Sequence, residues 1–553
     1  MDHQMLAERL FPLQPLDKET LARKYPPRVL PEGAKVTRLG PSPTGFIHLG
    51  NLYGAFVDER LAHQSGGLFY LRIEDTDDKR LVQGAVDMII DSLAFFGISF
   101  DEGATKTGDR GDYGPYEQSL RKELYHCYVK DLVARGLAYP CFLTEDEIAQ
   151  IRQEQETAKA NPGIYGKYAT HRDLSMDQIE KFLSAGLPYT IRLKSGGNHD
   201  LPQDQIRYIK VEDGIRGTLS MPENNQDVVI LKANGMPTYH FAHVVDDYLM
   251  RTTHVVRGEE WLSTLPIHVE LFEKLGFELP VYCHTAQLMK LDENGNKRKL
   301  SKRKDPELSL GYYQEVGYHP LAIREYLLTL LNSNFEEWRL ANPELPSDEF
   351  QFTTEKMSAS GALFDINKLN DVSKDCLVRI PAGELYEFLL GWAAAYHKDA
   401  WTVLSEDRAK VEAILDLGRG DAKPRKDFIS ASQMFQFIQY FFDGYFTIEE
   451  PLPAEVSKED AAEILSRYVA SYDHGDDQSA WFEKIREITA DMGYAVKPKD
   501  FKNNPDQYKG HVGHVSTVVR LALVGRSQSP DLWEIQQILG AEKTIERIRK
   551  AAF

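Results

Sequence analysis

The chain has 553 residues, too many for one hydrophobic core and, at roughly 100–200 residues per domain, enough for three to five domains. Hydrophobic residues make up 42% and charged residues 27%, a globular balance, and no apolar run approaches the ~18 residues of a membrane-spanning helix, so no membrane partner is expected. Asp and Glu number 84 against 65 Lys and Arg, a net charge of −19, so a polyanion would have to be met by a local basic stripe and not by the field of the whole molecule.

Residues 1–35 read as an amino-terminal extension with a helical stretch. It carries acids early and lacks the basic-then-apolar pattern of a secretory signal, so a cytoplasmic location is expected. After the breakers between Pro26 and Gly33, residues 35–39 read as a strand, 51–64 as a helix, 68–73 as a second strand and 81–96 as a second helix. That order predicts a parallel, doubly wound sheet. A Tyr-rich helix over 116–136 and a polar segment near 154–166 break the rhythm and read as an inserted α+β domain. Strands at 228–231, 253–257 and 281–283, with a helix over 264–276, resume it, so a Rossmann-type sheet split by an insertion is predicted. Beyond about Gly311 strand signals fade. Residues 457–460 resemble a capping box, Ser529-Pro530 opens a helix that Gly540 stops, and the carboxy-terminal part is expected to be all-α. Cys127, Cys141, Cys283 and Cys376 form no CxxC pair, which points to reduced thiols and away from a disulfide framework or zinc site.

Two stretches could carry chemistry. PSPTGFIHLGN, residues 41–51, is a glycine-containing turn between the first strand and its helix. Backbone N–H groups and the positive end of a helix dipole collect there, at the carboxyl edge of the sheet where phosphates bind. His48 could donate to a phosphate oxygen as charge builds on it. Read alone, the stretch is also an ordinary turn with a surface histidine. The second is KRKLSKRK, residues 297–304: from Lys290 to Lys304 there are seven basic residues against two acidic ones. Alone it is a solvated basic loop, but its place after the sheet would let Lys302 close onto a triphosphate.

The pair resembles the two signature sequences of class I aminoacyl-tRNA synthetases, with Asn51 in place of the commoner final histidine. LRIEDTD (71–77), PTYHFAHVVDD (237–247) and VRGEEWL (256–262) are similar to the glutamyl/glutaminyl branch. RLALVGRSQSPDLWEIQQILG (520–540) resembles the helical end of bacterial glutamyl-tRNA synthetases. The resemblance implies a division into the 1–35 extension, Rossmann catalytic halves at 36–107 and 228–310, an acceptor-stem-binding insertion at 108–227, a stem-contact helical connector at 311–375 and an all-helical anticodon-binding region at 376–553.

It further implies a glutamate–tRNA ligase with L-glutamate, ATP and tRNA(Glu) as partners, acting as a monomer. Arg38, Ser42, Glu74, Tyr239 and Arg257 would hold glutamate, two arginines answering two carboxylates. Read from the residues alone, Arg38 is a strand-edge surface residue, Arg257 a salt-bridge partner of Glu259 or Glu260, Glu74 an internal ion-pair partner and Tyr239 packing. Pro41, Ser42, Pro43, Thr44, His48, Gly50, Glu260, Lys299, Ser301 and Lys302 would hold ATP, with His48 and Lys302 catalytic. Mg2+ would accompany ATP and bridge its phosphates. Zinc is not expected, because Leu143 stands where the second cysteine of a Cys-x-Cys pair would be. His243 stands where the family often has asparagine. Arg520 and Arg526 are candidate phosphate contacts or a solvated helix face. Two alternatives remain: an enzyme that also charges tRNA(Gln) with glutamate, and an inactive tRNA-binding protein of synthetase type. A nicotinamide-dependent Rossmann enzyme would need GxGxxG where GPSPTG stands.

Overall fold

The structure, a computed structural model, describes residues 2–44, 47–77, 81–198, 205–301, 303–420 and 423–553. It divides into two compact units, Met1–Tyr312 with Leu327–Asp365, and Tyr313–Tyr326 with Ile366–Phe553.

In the first unit, β1 (Val36–Leu39) is buried along its whole length and pairs in parallel with β2 (Leu68–Leu71). A strand covered on both faces reads as continuous burial without alternation. The crossover helix Leu49–Gln64 is buried almost all round, including Asp58, Glu59 and Arg60; the Glu59 and Arg60 side chains find partners in Ser99 and residues 347–348, and the Asp58 backbone carbonyl accepts from the Thr37 hydroxyl. β2 pairs in parallel with β3 (Glu102–Thr105), and β3 turns back antiparallel to β4 (Gly108–Arg110). The helix expected over 81–96 spans Ala85–Phe95, because Gly84 starts it in the left-handed region at φ 76°. Leu81 and Val82 stay exposed.

The chain then leaves the sheet. β5 (Ala138–Cys141) pairs antiparallel with β6 (Thr190–Leu193). Between them, Thr144 and Glu147 cap helix Glu145–Thr157 reciprocally, and Gln155 closes the polar turn after it with two hydrogen bonds to the Gly163 backbone. β7 (Tyr208–Asp213) and β8 (Gly217–Pro222) form a hairpin, and β9 (Val229–Leu231) pairs antiparallel with β6. β10 (His254–Gly258) and β11 (Val281–Thr285) are parallel, with β7 on the far side of β11. Thus the strand expected near 228–231 closes the small β5–β6 sheet instead of resuming the parallel one, while the β7–β8 hairpin sits against the parallel sheet. Strand character is local, whereas partner choice depends on tertiary packing that no local pattern encodes.

The Thr253 amide donates to the Val36 carbonyl at 3.0 Å and the Val36 amide to Thr253 Oγ1 at 2.8 Å, which sets β10 beside β1. The parallel strands therefore run β3-β2-β1-β10-β11, and the order reverses between β1 and β10. β12 (Leu288–Leu291) and β13 (Lys297–Lys299) form a hairpin joined by β14 (Ala362–Leu363).

The second unit is helical among its described residues. Helix Val512–Val524 lies at its centre with both ends and most of its length buried. Ser457 caps helix Lys458–Ser471 through the Asp460 amide. The helix expected from Ser529-Pro530 begins at Leu532, because Asp531 accepts from the Trp533 and Glu534 amides; Gly540 ends it as expected. No described helix is long and apolar enough to cross a membrane.

Candidate active site

Where strand order reverses, the loops after adjacent strands part and leave a crevice at the carboxyl edge of the sheet. Arg38 near the end of β1 and Arg257 near the end of β10 stand at this crevice, and Arg38 Nη1 donates to the Val256 carbonyl at 3.3 Å. Both are buried, so Arg38 is not the surface residue its strand-edge place alone would imply.

Arg38 belongs to a buried charge cluster. Its Nε lies 3.4 Å from Asp247 Oδ1, and the same oxygen accepts from Arg72 Nη1 at 2.6 Å. His243 Nδ1 lies 2.7 Å from Asp247 Oδ2, and Arg72 Nη2 donates to Glu74 at 3.0 Å. Burial alone would raise the Asp247 carboxyl, but Arg72, Arg38 and His243 outweigh it and hold the group well below its ordinary value. Glu74 goes the other way: burial raises it despite Arg72 and Arg38. Its amide is fixed on the Pro41 carbonyl at 3.0 Å, and a Cβ at Gly40 would stand 2.4 Å from its Oε1, so a side chain there would displace the carboxylate that Arg72 holds. Burial draws His243 down to about 4, which keeps it neutral beside Tyr282, whose hydroxyl lies 2.9 Å from Nε2.

Arg257 has different company. Nε donates to His284 Nε2 at 2.9 Å, Nη1 faces His268 Nδ1 at 3.0 Å, and Nη2 reaches the Trp261 carbonyl at 3.5 Å. Its guanidinium lies 4.6 Å from the Tyr282 ring centre. Among the described residues no carboxylate stands within ion-pair distance of it, and Glu259 instead pairs with Arg216 at 2.5 Å. Tyr239 roofs the same space, its ring 4.4 Å from Trp261 and parallel to His243 at 5.8 Å. Trp261, His268, His284 and Asp247 are residues that sequence reasoning missed. Asp247 stood inside a quoted motif, while the histidines carry no local signal and meet only through the fold.

His48 opens helix Leu49–Gln64, the crossover helix that follows β1. Its Nδ1 accepts from the Asn51 amide at 3.3 Å, and the Asn51 side chain accepts from the His48 amide at 3.1 Å. An imidazole accepting at Nδ1 carries its proton on Nε2, so the ring is held as an Nε2–H donor. A Cβ at Gly50 would stand 3.0 Å from two atoms of the His48 ring. The carbonyls of Pro41, Ser42 and Pro43 turn inward to the amides of Glu74, Thr44 and Val82, while the Ser42 and Thr44 side chains are exposed. Glu260 is exposed and accepts from Gln287 Nε2 at 3.4 Å.

The basic loop is pinned by one acid. Asp305 accepts both Arg298 nitrogens, at 2.6 and 2.7 Å, and the Ser301 amide at 2.8 Å. These bonds outweigh burial and depress its carboxyl strongly. Lys290 pairs with Glu307, so Arg298 and Lys290 are structural ties. Lys299, at the end of β13, is exposed and Ser301 half-buried; Lys302 lies outside the described residues.

Residues 35–371 match the family model described as tRNA synthetases class I (E and Q), catalytic domain, and residues 385–552 match an anticodon binding domain. The chain belongs to the class I tRNA synthetases of the E and Q type. It is 60% identical over 553 residues to a glutamate–tRNA ligase of Acetivibrio thermocellus, covering all of both chains. It is 46% identical to one of Clostridium perfringens, covering all of this chain and 99% of the relative. Among solved structures it is similar to a glutamate tRNA ligase of Elizabethkingia meningosepticum in complex with its amino acid, at 29% identity and a TM-score of 0.73, covering 93% of this chain and 98% of that one.

In this class I synthetase of the E and Q type, Arg38 and Arg257 stand together at one crevice. Arg257, however, pairs with histidines and not with Glu259 or Glu260. In the helical unit, Arg526 is bound to Glu449 at 2.7 and 2.9 Å, so the guanidinium already has a carboxylate. Arg520 lines a cavity of about 350 Å³ with Trp481, Phe482, Ser516 and Asp531. Among the described residues no cluster of three His, Cys, Asp or Glu side chains is placed to hold a metal ion.

Proposed function

We propose that the chain is a glutamate–tRNA ligase, which activates L-glutamate with ATP and transfers it to the 3′-terminal adenosine of tRNA(Glu). The observation that carries this reading is Arg257: a buried guanidinium, held in place by neutral acceptors and, among the described residues, lacking a carboxylate, at the crevice where Arg38 also stands. A buried cation without a counterion is costly, and a dicarboxylic substrate supplies the missing charge. Arg257 and Arg38 would take the two carboxylates, with Ser42, Glu74 and Tyr239 meeting the ammonium and polar edges.

ATP would lie along Pro41, Ser42, Pro43 and Thr44, with His48 and Gly50 at its phosphates, Glu260 near the ribose or base, and Lys299, Ser301 and Lys302 at the triphosphate. Mg2+ would be held by the phosphates, since the described residues offer it no cage, and would supply charge neutralisation. In the first step a glutamate α-carboxylate oxygen bonds to the α-phosphorus, and the bond to pyrophosphate breaks. His48, with its proton on Nε2, donates to a phosphate oxygen as charge builds, and Lys302 neutralises the same charge. In the second step the 2′-hydroxyl of the terminal adenosine attacks the carbonyl of the anhydride. Its proton passes to the phosphate of the departing AMP, the bond between the carbonyl carbon and the phosphate oxygen breaks, and the ester remains. No protein nucleophile is needed; position and charge do the catalysis.

Aminoacylation with purified tRNA(Glu) and tRNA(Gln), each offered glutamate and glutamine, tests this. Glutamylation of tRNA(Glu) is expected; charging with glutamine alone, or no pyrophosphate release above that of a Lys302→Ala control, overturns it.

A further inference from the structure

The proton positions around Arg257 are forced. A guanidinium only donates, so His284 must present a bare Nε2 to Arg257 Nε and His268 a bare Nδ1 to Nη1. His284 then carries its proton on Nδ1, and that atom lies 2.6 Å from Asp213 Oδ2. His268 carries its proton on Nε2, which lies 2.9 Å from His240 Nδ1. Both rings are wholly buried, and burial is the main reason each is held below its ordinary value, which keeps them neutral.

Asp213 comes from the β7–β8 hairpin, remote in sequence from every motif of the site. Its Oδ1 accepts from the amides of Ile215 and Arg216 at 3.0 and 2.9 Å, so the turn that follows β7 orients the carboxylate. The His284 amide also faces it, at 3.2 Å from Oδ2, and the His284 carbonyl accepts from Arg216 Nε at 3.0 Å. The hairpin turn thus grips His284 by backbone and ring alike. A carboxylate in the place of either ring would satisfy Arg257 and compete with a substrate. A neutral imidazole with a fixed bare nitrogen aims the guanidinium and leaves its charge unspent.

We propose that Asp213 and His284 are positioning residues for glutamate: Asp213 sets the tautomer of His284, and His284 aims Arg257. The proposal rests on reading Arg257 as a ligand of the substrate carboxylate. Glutamate and ATP KM and kcat, measured by aminoacylation of tRNA(Glu) with the full chain, test it in four variants. Arg257→Ala tests the underlying reading, with the glutamate KM rising about 100-fold or more. His284→Leu leaves Arg257 Nε unpaired, and its glutamate KM is expected to rise about tenfold with the ATP KM within about twofold. His284→Gln offers an amide oxygen to Arg257 and is expected to recover most of that loss.

Asp213→Asn keeps the volume and the Oδ1 bonds. Its amide donates to His284 Nδ1 and so turns an N–H toward Arg257. A rise of about tenfold in glutamate KM is expected, and this variant decides the matter if His284→Leu does not fold. The inference is overturned if Asp213→Asn leaves the glutamate KM within twofold of the parent, if His284→Gln is as poor as a folded His284→Leu, or if the ATP KM rises in step. If Arg257→Ala itself leaves the glutamate KM unchanged, the reading of the pocket fails before the positioning of Arg257 is reached.

Discussion

Arg72 and Asp247 form an ion pair closed to solvent at both ends, Nη1 to Oδ1 at 2.6 Å, that ties the residue following β2 to helix Tyr239–Leu249 beside Arg38. Removing one member of a buried pair strands the other charge, whereas replacing both with apolar groups does not. Asp247→Asn is therefore expected to lower the urea stability of the catalytic unit by about 3–5 kcal/mol. Arg72→Met with Asp247→Leu should recover much of that stability. It should not recover glutamate activation, because Arg38 loses the carboxylate that orients it. Equal stability of Asp247→Asn and the parent would show that the cluster is already hydrated.

Gly50 separates stability from activity. Alanine is the better helix former by up to about 1 kcal/mol in a helix interior, less in the first turn, yet its Cβ would press on the His48 ring at 3.0 Å. Gly50→Ala should melt no lower than the parent while kcat for glutamyl-adenylate formation falls about tenfold, because a contact at 3.0 Å shifts the ring by less than the ~1 Å displacement that costs about 100-fold. Unchanged kcat would mean that the His48 ring has no catalytic position to lose. Asn51, which stands where the family more often has histidine, accepts from the His48 amide; removing that bond by Asn51→Ala is expected to cost about 1 kcal/mol.

Much of the architecture is legible in the sequence because parallel strands and crossover helices leave continuous or periodic apolar patterns, as at Val36–Leu39 and Ala85–Phe95. Arg38, His48 and Arg257 are legible because each lies at a strand end or helix start, His48 and Arg257 inside a contiguous motif and Arg38 just ahead of one. His268, His284 and Asp213 are not, because they become neighbours only when β7 docks on β11 and helix Leu265–Leu275 packs beneath β10. The pairing of β9 with β6 is hidden for the same reason: short apolar strands look alike, and their partners are chosen by the surfaces they bury. The basic run over 297–304 misleads differently, since charge counting cannot tell Arg298, bound to Asp305, from cations facing a phosphate.

That distinction gives a prediction for the loop. Asp305 holds the Arg298 guanidinium and the Ser301 amide together, and so fixes the loop as far as Ser301. Asp305→Asn and Arg298→Ala should act alike, each lowering kcat and raising the ATP KM by about tenfold, with the glutamate KM little changed. The two together should be no worse than either alone, as expected for partners in one interaction. An additive double variant would mean that Arg298 touches ATP directly.

The helical unit carries an acid-sensitive cap. His319 precedes helix Pro320–Leu331, its Nδ1 accepts from the Leu321 amide at 3.2 Å, and its ring packs edge-on against Phe388 at 4.7 Å. Burial draws its pKa down from 6.5 to about 4. The unfolded chain therefore binds a proton between these values while the folded one does not, so the stability His319 contributes is complete above about pH 6.5 and lost as pH falls toward 4. The loss at pH 5 should be on the order of 2 kcal/mol. His319→Asn keeps an acceptor for the Leu321 amide and does not titrate, at a cost of about 1 kcal/mol in lost contact with Phe388. Followed by tryptophan fluorescence in urea, the helical unit of His319→Asn should be less stable than the parent at pH 8 and more stable at pH 5. Curves that stay parallel across this range would place the proton elsewhere.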